Sequence, residues 1–146
     1  MNLLKSITIQ IVVDNVSMQI MPEEIFGLVG PNGARKTTLM KMILNLVKPS
    51  YGELDIFGET IQKGDYRYLA DIGSIVETPQ FIDDLTVLEN MKIHAQYYGY
   101  NNPKRIEEVL ESVEMLNNKN MAVKRCSLGM KQRLAIARAM LCRPSC

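Results

Sequence analysis

Apolar positions along this chain change their period several times, and each change marks an element. Residues 7–13, ITIQIVV, are β-branched and partly alternating, which predicts a strand, and VSMQIM (16–21) predicts a second. After the turn residues Pro22-Glu23-Glu24 comes IFGLV (25–29), an almost wholly apolar run before a glycine. Such a run suits a strand buried on both faces of a sheet. From Thr37 the period lengthens. TTLMKMILNLV (37–47) places Leu39, Ile43 and Leu46 on one face with Met40, Leu44 and Val47 beside them, predicting a helix that stops at Lys48-Pro49. YGELDIFGETI (51–61) alternates around Leu54, Ile56 and Gly58, and DIGSIVE (71–77) ends near Pro79; both read as strands.

The second half reads as helices with explicit start signals. Thr86-Val87-Leu88-Glu89 has the spacing of a capping box, predicting a helix to about Gly99. Asn102-Pro103 supplies an N-cap and a proline at the first helical position. The helix that follows turns Ile106, Val109, Leu110, Val113 and Leu116 inward and Glu107, Glu111 and Glu114 outward. SLGMKQRLAIARAML (127–141) predicts a last helix, opened by Ser127 and Gly129.

At 146 residues the chain is long enough for one domain with a real core, and its 47% hydrophobic and 23% charged content is ordinary for a globular protein. With no apolar run of membrane-spanning length and no signal peptide, a cytosolic location is expected. Cys126, Cys142 and Cys146 have no histidine near them in sequence, since the only one is His94, so free thiols are expected rather than a metal site or disulfide. The net charge of +1 hides an asymmetry: no acid follows Glu114, while Lys119, Lys124, Arg125, Lys131, Arg133, Arg138 and Arg143 do. Such a tail fits a solvated helix face, contact with a phosphate on a partner, or nucleic acid. The last is disfavoured, because no aromatic residues interleave with these charges.

The chemistry concentrates at GPNGARKTT, Gly30, Pro31, Asn32, Gly33, Ala34, Arg35, Lys36, Thr37 and Thr38. A phosphate-binding loop reads G-x-x-x-x-G-K-[ST] between a strand and a helix. Gly30, Lys36 and Thr37 stand where that pattern wants them, and Arg35 replaces its second glycine. Successive backbone N–H groups of such a loop form an anion nest, and the following helix adds the positive end of its dipole. Lys36 would neutralise the β and γ phosphates, and Thr37 would give its hydroxyl to Mg²⁺. If position 35 needs left-handed geometry, a residue other than glycine costs about 1–2 kcal/mol. Weakened binding is expected, although the guanidinium could instead pair with phosphate oxygens.

IFGLVGPNGARKTTLMKMILNLVKPSYGELDIFG resembles the ATP-binding subunit of ABC transporters, more narrowly the bacterial export subunits of the bacitracin or lantibiotic resistance type. DIGSIVETPQFIDDLTVLENM is similar to the family's Q-loop region, and SLGMKQRLAIARAM to its signature motif and helix. The resemblance runs from about Val12 to Pro144. It implies an α/β P-loop fold with a small antiparallel portion and a helical subdomain. The expected division is 1–77 for the β-rich and phosphate-loop part, 78–125 for the helical subdomain and 126–146 for the signature and its helix.

The resemblance also implies ATP and Mg²⁺ as ligands and two partners. One is a transmembrane subunit, which would hold the chain at the inner face of the membrane. The other is a second ATP-binding subunit in a head-to-tail pair, so that Ser127, Leu128, Gly129, Met130 and Lys131 would close on ATP held by the other copy. Glu77 stands at the Q-loop position, where it could hold a Mg²⁺-bound water and sense the membrane subunit. Three departures bear on activity. Arg35 is the first. No aromatic residue in positions 1–10 is placed to stack on adenine. The family's Walker B aspartate, catalytic glutamate and switch histidine have no counterpart, so no catalytic residue is assigned and an impaired copy, truncated before Walker B, is expected. The competing readings are an exporter's ATP-binding subunit and a non-enzymatic remnant that binds nucleotide weakly or interacts with a full-length partner.

Overall fold

The computed structural model describes residues 16–62, 64–76, 78–99 and 102–141. These divide between Gly52 and Glu53 into two compact units. Among them no helix is long and apolar enough to cross a membrane.

In the first unit the one described helix is α1, Lys36–Ile43. It is shorter than the apolar period suggests, and the correction has a local cause. Asn45 takes a positive φ of 55°, Leu46 N–H donates to Lys41 O (2.8 Å) and Asn45 N–H to Met42 O (3.0 Å). That is a Schellman end, which closes the last carbonyls four residues before Lys48-Pro49. The strands expected at 16–21 and 25–29 do not form: neither segment joins a ladder among the described residues, and Ile25 and Val29 are 100% and 94% exposed. An apolar run records a preference for burial, whereas a strand exists only through a partner that the run itself cannot name. The strand expected at 7–13 lies outside the described residues.

The second unit begins with a hairpin. The stretch 51–61 is not one strand but two short ones, β1 (Asp55–Ile56) and β2 (Glu59–Thr60), paired antiparallel with Asp55 opposite Thr60 and Ile56 opposite Glu59. Phe57 and Gly58 both have positive φ (53° and 80°), as a two-residue hairpin turn of the primed kind requires. A 3₁₀ turn, Arg67–Asp71, buries Tyr68. The strand expected at 71–77 is likewise not seen among the described residues: Asp71 ends that turn and residues 72–76 join no ladder. Gly73 instead rests against the backbone carbonyl of Ala139.

Three helices hold the core. In α2 (Val87–Tyr97) the capping box forms as read: Glu89 N–H donates to Thr86 Oγ1 (3.1 Å) and Thr86 N–H to Glu89 Oε2 (2.7 Å). In α3 (Pro103–Ser112) the Asn102 side chain accepts from the N–H groups of Lys104 and Arg105. This helix ends at Ser112, short of Leu116, in a second Schellman turn with Glu114 at φ 58° and Met115 N–H donating to Leu110 O (2.7 Å). The last helix, α4, spans Leu128–Leu141. Val87, Met91, Leu110, Met115, Val123 and Leu134 are fully buried between the three. Residues 83–88 run beside 119–124, joined by Val87 N–H to Met121 O, Val123 N–H to Leu85 O and Lys124 N–H to Asp83 O, all 2.9 Å. Asn90, nearly buried on α2, fastens the start of that segment by hydrogen bonds to Ile82, Leu85 and Thr86.

Candidate functional site

Two stretches of the expected site are described, one in each unit. The first is the loop before α1. Ala34 N–H donates to Pro31 O (3.2 Å), closing a turn in which Gly33 takes φ 87°. The Lys36 ammonium folds back over the loop and donates to Gly30 O (2.6 Å) and Pro31 O (2.9 Å). Gly30 has little room to spare, since a Cβ there would stand 3.3 Å from that of Ala34. Residues 30–35 and Thr37 are exposed, and Thr38 is half-buried.

Arg35 is the N-cap of α1 and sits at φ 61°, ψ 22°, in the left-handed region. The position thus has the geometry that favours glycine, and the condition posed by the sequence is met. Its side chain caps nothing. The first N–H groups of α1 therefore have no side-chain acceptor and face the loop as donors. A phosphate oxygen is the kind of acceptor that such a helix end takes.

The second stretch is the start of α4. Met130 N–H donates to Ser127 Oγ (3.2 Å) and Lys131 N–H to Ser127 O (2.9 Å), so Ser127 caps the helix as expected. Its hydroxyl accepts there and keeps its own proton to donate. Leu128 is 71% exposed and Gly129 is exposed. Lys131 pairs with Asp83 (Nζ to Oδ1 3.0 Å). Arg133, another base of the acid-free tail, faces Glu114 (3.4 Å). Lys119 pairs with Glu107 (2.7 Å) and Lys124 with Asp84 (2.8 Å). Four bases of the acid-free tail are thus matched by carboxylates from earlier in the chain. Lys124 beside Asp84 holds that carboxyl below its usual range, and Lys119 does the same for Glu107. Glu77 lies outside the described residues.

Sequence reasoning missed three residues that support this second stretch. Asp83 and Asn90 act at a distance from the motif that they steady, and no local pattern marks them. Arg138 was counted as a tail charge. It is half-buried, donates to Gln80 O (2.8 Å) and lies over the Phe81 ring (4.9 Å), and burial lowers its pKa.

A comparison with protein families matches residues 13–146 to the ABC transporter family. The chain belongs to the ABC transporter family. Among curated relatives it is similar to the ABC transporter ATP-binding protein YcbN of Bacillus subtilis, at 51% identity over 91% of this chain and 43% of the relative. It is also similar to the bacitracin transport ATP-binding protein BcrA of Bacillus licheniformis, at 45% identity over 88% of this chain and 42% of the relative. This ABC family member thus spans less than half the length of those relatives. A solved structure of the ATP binding subunit of an ABC transporter superposes with a TM-score of 0.67 at 30% identity, over 80% of this chain and 50% of that one. The expected α/β P-loop fold is therefore the fold of this ABC chain, with the hairpin at 55–60 as its small antiparallel sheet.

Proposed function

We propose that the chain is the ATP-binding part of an ABC exporter subunit and that it couples nucleotide binding to transport. The observation that carries this reading is Lys36. Its ammonium is held by Gly30 O and Pro31 O at the mouth of a loop whose helix presents uncapped donors. That arrangement keeps a positive charge where terminal phosphates would sit. Residues 30–38 cradle the phosphates, and the Thr37 hydroxyl is a hard oxygen ligand of the kind Mg²⁺ prefers. Among the described residues no group of three or more His, Cys, Asp and Glu could form an all-protein cage. This fits an ion held mainly by phosphate and water, with Thr37 and Glu77 at its edge. Residues 127–131 meet the nucleotide of a second ATP-binding subunit across a head-to-tail pair, and a transmembrane subunit holds the assembly at the inner face of the membrane. Resemblance to the bacitracin transport protein supports a peptide antibiotic as cargo.

A second reading, a weak nucleotide binder that acts through an intact partner, is favoured by one observation. Arg35 occupies a left-handed position in the loop, where a residue other than glycine strains the backbone. Isothermal titration with ATP and Mg²⁺ tests both readings, with Lys36→Ala as the control. Micromolar binding lost in the variant supports the first, and millimolar binding the second. Equal binding by the two proteins overturns both.

A further inference from the structure

We infer that Asp83 is a positioning residue for the signature segment: it latches Lys131 and is displaced from it by incoming phosphate. The inference rests on the reading above, in which residues 127–131 meet nucleotide held by a second copy. Three observations carry it. Lys131 Nζ lies 3.0 Å from Asp83 Oδ1. Asp83 is fixed there by its own backbone, since its carbonyl accepts from Lys124 N–H at 2.9 Å. The first turn of α4 contains no acid, so the carboxylate that answers this lysine comes from 48 residues earlier.

Lys131 is the fourth residue of α4, and a cation near a helix N-terminus opposes the helix dipole. Asp83 offsets that charge while no phosphate is near. The Asp83 side chain is 61% exposed, and an ion pair this open to water is weak. A triphosphate offers more negative charge than one carboxylate, and at the helix N-terminus it also meets the dipole and the Ser127 hydroxyl proton. Lys131 then exchanges Asp83 for phosphate. A latch of this kind lowers the affinity of the signature for nucleotide without blocking it. The neighbouring pair, Asp84 with Lys124, ties the segment that carries Asp83 to 119–124 at 2.8 Å and involves no signature residue. It separates a latch from a mere tie.

The test is the dimer dissociation constant of the full chain in saturating MgATP, by sedimentation equilibrium at physiological salt. Asp83→Asn is expected to tighten the dimer roughly two- to fivefold, the scale of one exposed ion pair. Asp83→Glu should behave as wild type and Asp84→Asn should not tighten. In a Lys131→Met background the gain from Asp83→Asn should shrink by at least half. An Asp83→Asn dimer no tighter than wild type overturns the latch, as does a gain that survives intact without Lys131. If Asp83→Asn does not fold, Lys131→Met decides: a dimer unchanged from wild type overturns it. Absence of any MgATP-dependent dimer in the wild type overturns the head-to-tail reading and the latch with it. A wild-type dimer that Asp83→Asn fails to tighten overturns the latch alone.

Discussion

Asn90 holds Ile82 by both sides of its backbone: Oδ1 accepts from Ile82 N–H at 2.8 Å and Nδ2 donates to Ile82 O at 3.0 Å. The same amide reaches Thr86 O at 3.0 Å. One side chain on α2 therefore sets the path of the segment that carries Asp83. Asn90→Ala removes these bonds and leaves the Ile82 N–H without its acceptor, while the Ile82, Leu85 and Thr86 carbonyls keep backbone donors. The expected loss is about 1–3 kcal/mol, measured by urea unfolding. Asn90→Asp should also destabilise, because it replaces the donor with a charge.

Arg35→Gly should stabilise the chain by about 1 kcal/mol, because glycine carries no Cβ penalty at φ 61°. It should also raise MgATP affinity, by opening room at the loop. Titration of both proteins decides the second point. Equal or weaker binding by the glycine variant would identify the guanidinium as a phosphate ligand.

Glu114→Gly is the matching change at the end of α3. Glu114 sits at φ 58°, and its side chain makes a long, exposed contact with Arg133. A gain of about 1 kcal/mol is expected from relief of the left-handed strain, read as a higher midpoint in urea at unchanged slope.

Gly73→Ala should have the opposite sign. The added Cβ meets the Ala139 carbonyl on α4, a backbone group that cannot swing aside. A cost of about 1–3 kcal/mol follows from overpacking, and calorimetry would show it as a lower Tm. A neutral Gly73→Ala would mean that 72–76 is free to move off α4.

His94 makes stability depend on pH. Burial, with the nearby Arg138 charge adding to it, lowers its pKa from an ordinary 6.5 to about 4. Below pH 6.5 the unfolded chain takes up a proton that the folded chain refuses, so stability falls as pH drops from 6.5 toward 4. The unfolded forms of the paired or capped carboxylates Asp84, Glu89 and Glu107 take up protons mainly below about pH 5. Among the described residues the slope between pH 6.5 and 5 therefore comes mainly from the chain's single histidine. Unfolding in urea across that window should show it, and His94→Gln should flatten it.

What the sequence made legible were features whose causes lie within four residues. The box of Thr86 and Glu89, the Asn102 cap and the Ser127 cap all formed where their chemistry put them. The phosphate-loop pattern likewise announced itself, down to the left-handed demand on position 35. Features that depend on a distant partner were not legible. The expected strands at 16–21, 25–29 and 71–77 had the right composition and no described ladder. Two helix ends were also misjudged. Asn45 and Glu114 turn the chain through positive φ, and neither is the glycine that usually signals such an end. The hairpin at 55–60 was hidden in the same way, because Phe57 leads its turn. Asp83 reached Lys131 only through the pairing of 83–88 with 119–124, a relation invisible in either segment alone.

That pairing has one more consequence. Where the chain leaves Asp83 and where it returns at Lys124, its two strands of backbone are hydrogen-bonded neighbours. Everything between them is an excursion that starts and finishes in the same place. Insertions tend to be tolerated where entry and exit adjoin, because the surrounding structure does not register their length. Evolution could lengthen the connection between α2 and α3, sparing the buried faces that both helices pack against α4, while the helix that follows kept its position.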